Sequence, residues 1–205
     1  LLAGGGGIAL SQADKSATPK TKADIVERPA PGPLPPYSPP VRDGASTNLY
    51  WGDTHLHTNI SADAYMMGNQ SLTPDDAFRF ARGEEVTALN GMKARLRRPL
   101  DFLVVSDHSE FLGVFAQLRA NNPDLEQWET GKRWGEWLRA GDWRKVATEF
   151  GSSLDHFEER FRVPEKVQRS IWSEVGRTAD RFNAPGRFTA FVGYEWSSTP
   201  GGDNL

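Results

Sequence analysis

The feature that most constrains the fold is a near-continuous apolar run of strand length, Leu100 to Ser106 (LDFLVVS). A strand that faces water on one side alternates apolar and polar residues, so a continuous run predicts a strand that is covered on both faces. Two further segments, Asn48 to His55 (NLYWGDTH) and Arg187 to Trp196 (RFTAFVGYEW), are rich in aromatic residues and are also predicted to be strands.

Helical signals separate these predicted strands. Thr73 precedes Pro74 and two acidic residues, which is the pattern of an N-cap and a first helical turn, and Gly83 can end that helix. Residues 109–120 are predicted to be helical, as are residues 164–182, where apolar residues recur with helical spacing. The alternation indicates parallel βαβ units in an α/β domain, either an open sheet or a barrel, with ligands at the carboxyl ends of the strands.

The first 45 residues differ in composition from the rest. Residues 1–13 are apolar and glycine-rich and end in Ser-Gln-Ala, which is typical of the end of a signal peptide, although a flexible terminus would look similar. Residues 14–45 become proline-rich and lack the apolar surface needed to fold, so we expect a disordered linker. The prediction is a periplasmic or secreted protein whose folded domain spans residues 46–205.

Composition excludes several kinds of partner and site. The 24 Lys and Arg residues against 27 Asp and Glu residues give a net charge of -3 without a basic stripe, so nucleic acid is not an expected partner. No apolar run approaches the ~20 residues that cross a bilayer, so we expect no stable membrane insertion. Because there is no cysteine, any metal must be held by His, Asp and Glu.

Three of the four histidines fall at the ends of predicted strands. In an extended chain, alternate side chains share a face, so Asp53, His55 and His57 are predicted to project to one side, about 7 Å apart in steps of two. His108 directly follows the apolar run, whereas His156 has no such context and is expected to be exposed or at an interface.

Three acidic residues belong to the same predicted layer: Asp63, Asp107 and Glu195. A carboxylate directly after an apolar strand, as at Glu195, is costly in a core unless it is paired, so it either emerges into solvent or meets a cation. Imidazole with carboxylate suits zinc, iron or manganese better than calcium or magnesium, which prefer all-oxygen shells. The sequence therefore predicts a metal site among these histidines and carboxylates.

Two other features of the sequence each have two possible interpretations. The cluster Arg95, Arg97 and Arg98 could hold a substrate phosphate or could be a solvated turn. The Trp-rich stretch of about residues 121–160 is predicted to form helices that pack on the domain, with a sugar-stacking platform as the alternative.

Several motifs carry a resemblance to a known superfamily. WGDTHLHTNISADAY resembles the first motif of the polymerase and histidinol phosphatase (PHP) superfamily, VVSDHSE is similar to its second motif, and VGYEW resembles the strand that delivers its bridging carboxylate. Together with DAYMMGN and TPDDAFRFARGEE, these motifs look like the bacterial PHP-like family catalogued as domain of unknown function (DUF) 3604, from about Leu49 to the C-terminus.

The resemblance implies a distorted (β/α)7 TIM-like barrel, two or three metal ions and phosphoester hydrolysis. By position, the metal ligands would be His55, His57, Asp63, His108 and Glu195. This chain departs from the superfamily at Asp63, since Ser-Ala-Asp-Ala replaces the usual Ser-Asp-Gly. The superfamily's later histidines and its last Asp-x-His element have no counterpart, so we expect an N-terminal fragment that is inactive alone.

The predicted activity is metal-dependent, phosphoesterase-like hydrolysis of a small-molecule or phosphoester substrate, because paired cations activate water and hold developing charge on an oxygen. The predicted catalytic residues are His57 and Asp107, the latter either orienting a ligand histidine or acting as a ligand. Two alternatives remain open: an amidohydrolase-like enzyme, and an exported, non-catalytic metal- or glycan-binding module.

Overall fold

The structure is a computed structural model that describes residues 48–156 and 158–197. This part of the chain is mixed α/β, with a parallel sheet and seven α-helices. Its elements in chain order are β1 (Gly52–Leu56), α1 (Ala62–Met66), α2 (Pro74–Ala81), β2 (Val86–Thr87), β3 (Lys93–Ala94), β4 (Phe102–Val105), α3 (Val114–Arg119), α4 (Pro123–Glu126), α5 (Glu129–Arg139), α6 (Trp143–Asp155), a 3-10 turn (Glu159–Phe161), α7 (Glu165–Phe182) and β5 (Thr189–Val192).

The main sheet has three parallel strands in the order β1-β4-β5. Strand β4 lies in the middle and pairs Leu103 with Asp53 on one side and with Ala190 on the other. Helices connect the strands, so the predicted α/β class with parallel βαβ units is confirmed. The sheet of the described residues is open, with no closed barrel, and a separate antiparallel pair joins β2 to β3.

One face of this sheet is covered by helices α2 and α7. Leu103 and Val105 point to that face and are almost fully buried against Phe78 and Ala179. The other face is only partly covered within the described residues: Phe102 and Val104 are half-buried. The prediction that this run is covered on both faces is therefore wrong for this part of the chain, because both packing helices lie on one side.

The helix boundaries test the sequence signals directly. Helix α2 begins as predicted, because Thr73 and Asp76 form a reciprocal capping box at its N-terminus, and α7 occupies the predicted helical segment. The prediction for residues 109–120 is wrong at its start: Phe111 and Gly113 have φ values of 56° and 68°, and the helix begins only at Val114. This left-handed segment forms a loop instead of a first helical turn.

A second core lies among helices α1, α3–α6 and the first half of α7, and it includes part of the Trp-rich stretch. Trp134 of α5 is fully buried, and its ring lies 5.4 Å from that of Phe111 and 5.7 Å from that of Phe115. Trp128 and Trp137 are partly buried against this cluster. The interpretation as packed helices is confirmed, and only Trp143 of this group is mainly exposed. The buried rings are not available for stacking on a sugar.

Some predictions concern segments outside these elements. The predicted signal-peptide remnant (1–13) and linker (14–45) lie outside the described residues. The arginines at positions 95, 97 and 98 are exposed after the β2–β3 pair, and His156 is exposed at the end of α6. No helix in the described ranges is both long and apolar enough to span a bilayer.

Candidate metal centre

The centre lies where the carboxyl ends of the three parallel strands meet. His55 belongs to β1, His57 follows it, His108 follows β4, and Glu195 follows β5. The pairing of β4 with β5 continues into the centre, because the N–H of Glu195 donates to the carbonyl of Asp107 (3.0 Å) and the N–H of Ser109 donates to the carbonyl of Glu195 (2.7 Å). The backbone therefore holds His108 and Glu195 side by side.

The register of β1 decides which of its side chains reach this centre. Leu56 pairs with Val105 and packs in the core beneath the sheet, so its neighbours His55 and His57 lie on the opposite face. The register shifts between Asp53 and Leu56, which breaks the strict alternation. The prediction that Asp53 projects to the same side as the histidines is therefore wrong: Asp53 pairs with Leu103, whose side chain faces the core, and its carboxylate accepts the N–H of His55 (2.8 Å).

The five residues predicted as ligands lie close together in two overlapping groups. One contains His55, His57 and Glu195, and the other contains His57, Asp63 and His108; within each group the potential ligand atoms lie within 4.8 Å of one another. In the first group, Glu195 Oε2 is 2.8 Å from His55 Nε2 and 2.9 Å from His57 Nε2. In the second, Asp63 Oδ2 is 3.0 Å from His57 Nδ1 and 3.7 Å from His108 Nε2.

The hydroxyl of Ser61 contacts all three residues of the second group. This fully buried residue donates its hydroxyl to Asp63 Oδ1 and accepts the backbone N–H of His108 (3.1 Å). The same hydroxyl is 3.3 Å from His57 Nδ1. One small side chain thus connects the segment after β1 to the segment after β4.

The electrostatics of the cluster follow from its mixed charges. Burial lowers the pKa of His57, but hydrogen bonds and charges of Asp63 and Glu195 outweigh it, so its pKa lies above the ordinary value. Burial raises the pKa of Glu195, yet the charge of His108 and hydrogen bonds to His55 and His57 bring it below the ordinary value. The pKa of Asp63 is also lowered, because Ser61 and His57 outweigh its burial. The carboxylates of Asp63 and Glu195 therefore favour their anionic form at the centre.

The donor set fits a divalent cation. Each group combines at least one imidazole nitrogen with a carboxylate oxygen, which is the ligand chemistry of zinc, iron and manganese. A neutral imidazole has one nitrogen lone pair, so His57 can serve only one ion at a time. If its Nε2 joins His55 and Glu195, its Nδ1–H remains to donate to Asp63, which would orient the ring.

Asp107 has a different environment from the other five. It is 3% exposed, and its carboxylate accepts hydrogen bonds from the backbone N–H and from the hydroxyl (2.8 Å) of Thr58. Burial raises its pKa, although the bonds from Thr58 oppose this effect. Asp107 belongs to neither ligand group, and its contacts with Thr58 support the chain after β1.

Four polar residues around the centre were not singled out as site residues from the sequence: Thr58, Ser61, Glu110 and Ser197. Each lies within three residues of a predicted ligand, and three carry hydroxyl groups. Proximity to a predicted ligand was a weak signal for them, because polar residues in loops often bond to nearby backbone instead. Their roles depend on contacts between segments that are distant in the chain.

A cavity of about 230 Å³ borders the centre. Asp63 and His108 line this cavity together with the apolar side chains of Phe150 and Leu154 in α6. The Trp-rich helical region therefore contributes to the space in which a ligand of the centre would lie.

Comparisons with known proteins agree with the motifs. A family model described as "Protein of unknown function (DUF3604)" matches residues 44–205. A search of curated proteins and a search of solved structures each returned no significant match. The matched region covers most of the chain and contains all five residues of the centre, and the chain therefore belongs to the DUF3604 family.

Proposed function

We propose that this chain carries the metal centre of a metal-dependent, phosphoesterase-like hydrolase. The observation that carries the proposal is the convergence of three histidines and two carboxylates from four separate segments onto one edge of a parallel sheet. Such an edge is where ligands bind in α/β proteins. Single polar residues are common at strand ends, but two overlapping groups of potential metal ligands at one point favour a functional site.

The residues would divide between two ions. His55, His57 and Glu195 would hold the first, while Asp63 and His108 would hold the second. Glu195 is suited to bridge them, because its Oε2 faces the first pair of histidines and its Oε1 lies 3.9 Å from His108 Nε2. Zinc, manganese and iron each suit these donors.

When bound, paired cations would lower the pKa of a water molecule and neutralise charge on a phosphoryl or acyl oxygen. The chain's own residues would prepare the place for this chemistry. Asp63 would orient the ring of His57 through Nδ1, and Thr58 with Asp107 would hold the backbone that carries both. Phe150 and Leu154 would exclude water from one side of a bound substrate.

The wider resemblance to the PHP superfamily belongs to the same proposal. Three parallel strands in the order β1-β4-β5, with helices on one face and a partly exposed opposite face, are what the first part of a distorted (β/α)7 barrel would contain. Phe191, which is 48% exposed, would then point into the barrel. Export to the periplasm or the medium is proposed from residues 1–13 alone.

Metal binding is tested first, on the full-length protein purified without chelators. We expect about two divalent ions per chain by elemental analysis, and a loss of at least one ion in His57→Ala and in His108→Ala. The matched control is His156→Ala, since His156 is exposed and lies outside the centre. Less than one ion per chain in the wild type, unchanged by His57→Ala, would overturn the proposal.

The reaction is tested by screening phosphoesters, amides and lactones with added Mn²⁺ or Zn²⁺. We expect phosphoester turnover that is lost in His57→Ala and retained in His156→Ala. Turnover of amides alone would instead support the amidohydrolase-like alternative. Metal binding without turnover of any of these substrates would support a non-catalytic module.

A further inference from the structure

The two nitrogens of the His108 ring face different surroundings. Nε2 points toward the centre, 3.7 Å from Asp63 and 3.9 Å from Glu195. Nδ1 points away from it, 3.7 Å from Glu110 Oε2 and 3.3 Å from the hydroxyl of Ser197. For His108 to act as a ligand through Nε2, its proton must lie on Nδ1.

Glu110 is held in an unusual way. Its Oε1 accepts the backbone N–H of Ser197 (3.1 Å), which fixes the orientation of the carboxylate. Its Oε2 is buried and has no hydrogen-bond partner among the described residues. A buried carboxylate oxygen without a donor is costly, so its presence calls for an explanation. His108 can supply a proton to it, because Nδ1 lies 3.7 Å away.

We propose that Glu110 is a positioning residue that keeps the proton of His108 on Nδ1 and so presents the lone pair of Nε2 to the cation. The inference rests on the proposed metal centre. A carboxylate can only accept a hydrogen bond, so it favours a proton on the ring nitrogen that faces it. Asp63 and Glu195 also face His108, on its Nε2 side, but both already pair with His57. Oε2 of Glu110 has no other partner among the described residues, so its preference for a proton on Nδ1 is the one left unmet. The hydroxyl of Ser197 can donate or accept, so it does not distinguish the two tautomers. Carboxylates behind ligand histidines act in this way in other metal sites.

The substitution Glu110→Gln tests this directly because it keeps the size of the side chain. The N–H of Ser197 requires an acceptor, so the amide oxygen stays at the position of Oε1 and the NH₂ group takes that of Oε2. A donor then faces Nδ1 of His108, which favours the tautomer protonated on Nε2 and removes the lone pair that would face the metal.

Two readouts are needed, both on the full-length protein. Long-range ¹H–¹⁵N spectra of metal-free, ¹⁵N-histidine-labelled protein should show neutral His108 protonated on Nδ1 in the wild type and on Nε2 in Glu110→Gln. Competition with a zinc chelator should show about 10- to 100-fold weaker zinc binding in Glu110→Gln. Glu136→Gln, on the exposed surface of α5, is the matched control and should leave both readouts unchanged.

The outcomes separate the two proposals. A wild type that binds no zinc would overturn the metal centre, while the spectrum of His108 still tests Glu110. Wild-type His108 protonated on Nε2 would overturn the inference even if Glu110→Gln failed to fold. A tautomer change in Ser197→Ala but not in Glu110→Gln would assign the role to the hydroxyl and overturn it as well.

Discussion

The close packing of β5 against β4 depends on the absence of a side chain at Gly193. A Cβ at this position would overlap Cγ1 of Val104, whereas its next contact, 3.7 Å to the carbonyl oxygen of Val105, is an ordinary one. Glu195 lies only two residues further along the chain. We therefore expect Gly193→Ala to disturb both the sheet and the position of Glu195 in the proposed metal centre.

The size of the effect follows from the single clash. Val104 is β-branched and has few alternative rotamers in a strand, so the strands must separate to relieve the overlap. Overpacking of this kind costs about 1–3 kcal/mol. With a urea m-value of about 2 kcal/mol/M, the unfolding midpoint should fall by roughly 0.5–1.5 M. Zinc binding should weaken in parallel because Glu195 is displaced.

A double-mutant cycle isolates the cause. Val104→Ala removes the clashing methyl group, and the Cβ that remains would lie 3.8 Å from the added one, so the double variant should be more stable than Gly193→Ala alone. Gly176→Ala is the control, because a Cβ there meets nothing within 4 Å in the middle of α7. We expect that control to be neutral or stabilising by up to about 1 kcal/mol.

Urea unfolding and zinc competition measure these effects on the full-length protein. If Gly193→Ala unfolds at the same urea concentration as the wild type, the packing argument is wrong. If the two substitutions destabilise additively, the clash with Val104 is not the cause.

Three further predictions concern stability and can be measured by urea or thermal unfolding. Thr73→Ala removes the N-cap of α2 and should cost about 1 kcal/mol, with Thr73→Ser close to the wild type. Trp134→Ala empties the centre of the second core and should cost about 3–5 kcal/mol, whereas Trp143→Ala, at a 55% exposed position, should change stability by less than about 0.5 kcal/mol. Burial raises the pKa of Glu149, but hydrogen bonds from Arg133 and Trp134 outweigh it and lower that pKa below the ordinary value. The charged form of Glu149 thus stabilises the fold at pH values above the ordinary pKa of glutamate. This contribution is lost as the pH falls through the lowered pKa of the folded state. The difference in unfolding free energy between wild type and Glu149→Gln should therefore shrink between pH 7 and pH 3.

Local sequence signals were sufficient to predict the elements that depend only on neighbouring residues. The start of α2 could be predicted because a capping box involves only Thr73 and its near neighbours. The length of α7 followed from apolar residues at helical spacing, which describe one buried stripe. The loop at residues 109–113 could not be predicted in this way, since it is tied down by a bond from Ser109 to Glu195, 86 positions further along the chain.

The residues of the candidate centre were likewise predictable in part. Residue type and position at predicted strand ends singled out the three histidines and three carboxylates, because parallel strands end at one edge and imidazoles with carboxylates are metal-binding groups. The motif resemblance, and not position alone, reduced the carboxylates to Asp63 and Glu195. Only the tertiary structure placed Asp53 outside the centre, through a shift in the register of β1, and directed Asp107 to Thr58. It alone brought Glu110 behind His108. Alternation along a strand is a property of the sequence, but register and the partner of a buried carboxylate depend on how distant segments pack against each other.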